Sequence, residues 1–134
     1  MNSIKNVIGI DRVQCSGLEG MSGVSPDIIV PHDIQWSEIP IQVPAKLSII
    51  NKVEAGNSVW QTELTFRTCE KLDTRGHWAY RVKLANGEVR LIGGHQRPYP
   101  VTTIKESMPD NMTDSQLLEV SVTLNSREQI PVIH

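Results

Sequence analysis

The stretch WAYRVKLANGEVRLIG, residues 78–93, decides the fold. Trp78, Tyr80, Val82 and Leu84 alternate with Ala79, Arg81, Lys83 and Ala85. A period of two is the mark of a half-buried strand. Asn86-Gly87 follows at once, and Asn-Gly favours a type I′ hairpin turn, in which both central residues take positive φ. The chain is then expected to return over Glu88–Gly93 with Val89 and Leu91 on the core face. Arg81, Lys83 and Arg90 would share the outer face of this hairpin.

Outward from this hairpin the same signal repeats. Trp60, Thr62, Leu64 and Phe66 share one face of a strand over Ser58–Thr68. Leu47 and Ile49 alternate with Lys46, Ser48 and Ile50 over Ala45–Val53, and Glu54-Ala55-Gly56-Asn57 joins these two strands as a turn. Leu118, Val120, Val122 and Leu124 alternate with Glu119, Ser121 and Thr123. Ile4, Ile8 and Ile10 support a further strand over Asn2–Val13. No window of eleven or more residues carries apolar positions at the helical period. The expectation is an all-β, mainly antiparallel domain of six to seven strands, either a small β-sandwich or a partly open β-barrel. One domain covers residues 1–134, a length at which a substantial core forms. Gly17–Pro26 reads as a mobile loop, Pro31–Pro44 as extended or edge chain, Glu106–Ser115 as a loop, and 125–134 as a C-terminal arm.

Composition excludes several classes. Hydrophobic residues make up 39% and charged residues 21% of 134. No run reaches the ~18 apolar residues of a membrane helix, and no secretory signal is expected from MNSIKNVIGIDR. Cys15 and Cys69 read as reduced thiols, since neither belongs to a Cys-x-x-Cys pair, although a bridge stays open. His32, His77, His95 and His134 share no ligand spacing, so no metal is expected. No Gly-x-Ser-x-Gly elbow, phosphate loop or paired carboxylates are present. Neither catalytic residues nor cofactor nor small-molecule substrate is expected, and the chain reads as non-enzymatic. Charge is uneven: residues 67–97 hold seven Lys and Arg less three Asp and Glu, a net +4, while the whole chain carries −2. A solvated sheet face explains such an imbalance, and so does an anionic or head-to-tail partner. Arg81, Lys83 and Arg90 on one hairpin face open an alternative reading as a small nucleic-acid-binding barrel.

After the hairpin comes Leu91-Ile92-Gly93-Gly94-His95-Gln96-Arg97-Pro98-Tyr99-Pro100-Val101, then an acidic Pro-containing loop, a long strand and the tail Gln129-Ile130-Pro131-Val132-Ile133. This order resembles small prophage proteins of Bacteroides-type bacteria found among tail and neck components. The likeness takes in Glu38-Ile39-Pro40 and the strand from Gly56 to Phe66. It implies a structural or assembly role in the particle, a homo-oligomer or other virion proteins as partners, and a location in the bacterial cytoplasm or the virion. It names no catalytic position. Independently, Pro98 and Pro100 stiffen the chain about Tyr99. Tyr99 therefore either caps one end of the core or joins Arg97 on an arm offered to a neighbour. Ile130 and Val132 either dock as an edge strand or pair with another copy.

Overall fold

Alternation along the chain becomes eleven strands in the computed structural model, which describes residues 2–18, 22–24, 27–29, 34–69, 72–73, 75–94, 99–107 and 117–133. They are β1 (Asn2–Gln14), β2 (Ser22–Val24), β3 (Asp27–Ile29), β4 (Ser37–Ile39), β5 (Gln42–Glu54), β6 (Asn57–Thr68), β7 (Trp78–Leu84), β8 (Val89–Ile92), β9 (Val101–Ser107), β10 (Leu117–Ser126) and β11 (Val132–Ile133). A 3-10 turn, Cys15–Leu18, follows β1. No helix of the described residues is long and apolar enough to cross a membrane.

The described residues are nearly all β and mostly antiparallel, as the alternation requires, but the expected six to seven strands is too few. β2, β3, β4 and β11 are two or three residues long, too short to show a period. β9 lies where the sequence suggested only the stretch between Tyr99 and a loop. Of the expected loop 17–26, residues 17–18 end the 3-10 turn and 22–24 form β2. Of the expected arm 125–134, residues 125–126 finish β10 and 132–133 form β11.

Ten strands follow one hydrogen-bonded path, β2-β3-β11-β8-β7-β1-β5-β6-β10-β9, with β4 on β1 off that path. The path is open, since its end strands β2 and β9 are not neighbours. β1 is the pivot. Asn2–Asn6 pair with β5, whereas Val7–Gln14 pair with β7 and Ile10–Arg12 also with β4. A bulge between Val7 and Gly9 marks the change. An extra residue shifts the inward parity, so Val7 and Ile10 are buried while Ile4 and Ile8 are 72% and 65% exposed. Ile4 and Ile8 therefore face solvent, and only Ile10 of the three expected isoleucines enters the core.

The main core gathers Leu47 and Ile49 of β5, Leu64 and Phe66 of β6, Tyr80, Val82 and Leu84 of β7, Ile92 of β8, and Val120 and Val122 of β10. Each large side chain buried there contributes about 1.5–3 kcal/mol. Tyr80 Oη and Thr102 Oγ1, 2.6 Å apart, link β7 to β9 across this interior. A second cluster of Cys15, Leu18, Ile28, Ala79 and Leu91 packs on the opposite side of β7 and β8.

The two hairpins reverse the turn chemistry their sequences suggest. Glu54 pairs with Asn57, leaving Ala55-Gly56 as a two-residue loop with φ of 50° and 81°, the type I′ pattern. Asn86 does not take positive φ. Gly87 N–H donates to the Leu84 carbonyl at 3.0 Å, Leu84 N–H donates to the Glu88 carbonyl at 2.9 Å, and Gly87 takes φ of 91°. That is a three-residue loop with a glycine bulge. Lys83 thus faces Val89 and Val82 faces Arg90, one residue out of the two-residue register.

Candidate assembly interface

A one-residue slip moves every side chain of a strand to the other face. On β8 it sends Leu91 to the second cluster, Ile92 to the main core and Arg90 to the buried side beside Val82. The expected basic face of Arg81, Lys83 and Arg90 is therefore split. Arg90 is 8% exposed; its Nε donates to Glu88 and its Nη1 to the Ile130 carbonyl at 2.8 Å. Glu88 also faces Lys5 Nζ at 3.6 Å. The Arg90 hydrogen bond, foremost, holds the Glu88 carboxyl below its ordinary range.

Arg81 and Lys83 remain on the outer face but converge on one carboxylate of this chain. Arg81 Nε and Nη2 donate to Asp11 Oδ2 at 2.9 and 2.6 Å, and Lys83 Nζ lies 3.8 Å from the same oxygen. Asp11 is 5% exposed and stands directly opposite Arg81 on β1. The Arg81 guanidinium also lies 4.6 Å over the Trp36 ring. Arg67 pairs with Glu119 at 3.2 Å and Arg75 with Asp73 at 3.1 Å. Every described cation between 67 and 97 thus has an anionic neighbour in its own chain. The sequence could not show this, because Asp11 and Glu119 lie far from their partners along the chain.

The other expected interface residues fold back as well. Ile130 is buried in the main core. Val132 is half-buried in β11, which lies between β8 (antiparallel) and β3 (parallel), so the tail docks inside the sheet rather than at its edge. The Leu91 N–H donates to the Pro131 carbonyl at 3.1 Å. Tyr99 stacks on His77, centroids 4.1 Å apart, and packs on the second cluster. Arg97 lies outside the described residues. Cys15 and Cys69 are free thiols; burial pushes Cys15 upward in pKa, opposed by a hydrogen bond from the Gly94 backbone.

What stays open is a strand edge that composition did not reveal. β9 pairs with β10 along all seven of its residues, and no described strand pairs its other side. Such an edge presents a row of N–H and C=O groups that can pair with another chain. Val101–Ile104 carries no charge, proline or glycine. Lys105 stands opposite Glu119 on β10. Thr102 and Ile104 are half-buried, while Val101 and Thr103 are exposed. Comparison with known proteins gives no match among protein-family models, curated proteins or solved structures.

Proposed function

We propose that this chain is a non-enzymatic structural protein that assembles by strand addition, and that it serves a phage or prophage particle as a tail-associated component. The observation that carries the assembly reading is the seven-residue edge of β9, whose outer side no described strand pairs. Backbone hydrogen bonds supply affinity in such pairing, and alternate side chains supply selectivity. The resemblance of residues 91–101 and of the tail to prophage tail and neck proteins supports the particle. We favour assembly over the nucleic-acid alternative, because Arg90 is buried and Arg81 and Lys83 stand beside Asp11.

Sedimentation equilibrium over a wide concentration range tests the assembly reading. The expected result is self-association at high concentration that changes little with salt, because backbone pairing rather than free charge drives it. A single monomeric species throughout, with no partner in a particle, removes the proposal.

A further inference from the structure

We infer that the β9 edge takes the β9 strand of a second copy, antiparallel about a two-fold axis through Ile104; this holds only if β9 is the assembling edge. β9 spans Val101–Ser107, so Ile104 is its central residue. A two-fold perpendicular to the sheet keeps core-facing residues opposite core-facing ones, and it must pass through a residue, not between two. Centred on Ile104, it pairs all seven residues of both copies: 101 with 107, 102 with 106, 103 with 105, and 104 with itself. Any other centre leaves part of the strand unpaired.

Chemistry selects the same register. Ile104 is the apolar core-side residue at this rim and packs half-buried on the main core, next to Val120, itself opposite Phe66. Setting Ile104 against Ile104 of the second copy continues the row Phe66–Val120–Ile104 through the junction and covers the part now open to water. A centre on Lys105 would set two ammonium groups face to face, which is unfavourable. In the Ile104 register each Lys105 meets the exposed hydroxyl of Thr103 instead. The interface is isologous and closes as a dimer.

Thr103 is exposed on the outer face, so changing it leaves the core intact. Thr103→Glu places a carboxylate opposite Lys105 of the second copy at two symmetric positions and should tighten the dimer. Thr103→Lys sets like charges at those positions and should weaken it. At the usual worth of cross-strand charge pairs the change is roughly two- to thirtyfold in Kd each way. Sedimentation equilibrium reads Kd, and circular dichroism verifies that both variants keep the wild-type strand spectrum. Opposite shifts support the register. Equal or reversed shifts overturn it. Abolition of the oligomer by Thr103→Pro together with equal Glu and Lys shifts leaves β9 as the edge but removes the two-fold register. Wild-type protein that never associates removes both.

Discussion

Arg90 Nη1, buried, donates a 2.8 Å hydrogen bond to the carbonyl of Ile130. Arg90 thereby reads the backbone of the C-terminal tail, while Ile130 fills the main core. Arg90→Leu removes this bond and the Arg90 hydrogen bond to Glu88, leaving Glu88 with Lys5. A lost hydrogen bond to a charged donor costs about 1.5–3 kcal/mol. Urea denaturation should show that loss, and hydrogen exchange should speed at Ile130–Ile133 before the rest of the sheet opens. Unchanged protection there would disprove the tail-holding role.

Glu88 supplies an acid-side dependence. Its carboxyl is lowered in the fold from an ordinary 4.5, chiefly by the Arg90 hydrogen bond. A depressed folded pKa contributes stability above the unfolded value, and that stability is lost as pH falls through the folded one. Wild type should therefore lose stability below about pH 4.5. Glu88→Gln should flatten part of that slope in acid denaturation midpoints.

Tyr80 acts at the other end of the scale. Burial raises its phenol above the ordinary 10, opposed by the hydrogen bond with Thr102. A raised folded pKa contributes stability below the unfolded value, lost as pH rises through the folded one. Tyr80 should resist ionisation until the sheet opens, which tyrosinate absorbance reads directly. Tyr80→Phe should cost about 1 kcal/mol at neutral pH and lessen the alkaline loss.

Ala55 sits at φ 50° in a turn whose two central residues both prefer glycine or asparagine. Ala55→Asn should stabilise the chain by about 0.5–1 kcal/mol through relief of the left-handed backbone. A fall in thermal midpoint would contradict the turn assignment.

Gly93 has the opposite constraint. At φ 99° a β-carbon would lie 2.7 Å from Pro100 Cγ and 3.4 Å from Ala79 Cα. Gly93→Ala should cost more than about 2 kcal/mol, since both backbone and packing oppose it. Phe66→Ala, at a residue 3% exposed, should cost about 3–5 kcal/mol.

Residues whose side chains alternate without interruption revealed their strands. Leu47 and Ile49, Leu64 and Phe66, Tyr80 and Val82, Val120 and Val122 are all buried where a period of two places them. Register was harder. Asn86-Gly87 suggested two loop residues where the chain uses three, and that single residue displaced Arg90 from an outer face to a buried one. Nothing local separates the two turns, because the choice depends on which face of β8 meets the core. The β1 bulge hid in the same way, with three isoleucines pointing to one face until the pairing with Leu84 and Lys83 was fixed. β9 escaped because Val101-Thr102-Thr103-Ile104 offers one strongly apolar core-side position, too few for a period to show.

β1 joins strands made much later in the chain, Lys46–Ile50 on one side and Trp78–Leu84 on the other. On the ribosome Asn2–Asn6 must therefore wait for β5, and Val7–Gln14 complete their pairing only once β7 has emerged. Partners so distant in sequence slow the search for the native pairing and leave nascent edges open to wrong neighbours. β1 thus finds its full set of partners long after it is made, and refolding speed should depend more on this strand than on either tight hairpin.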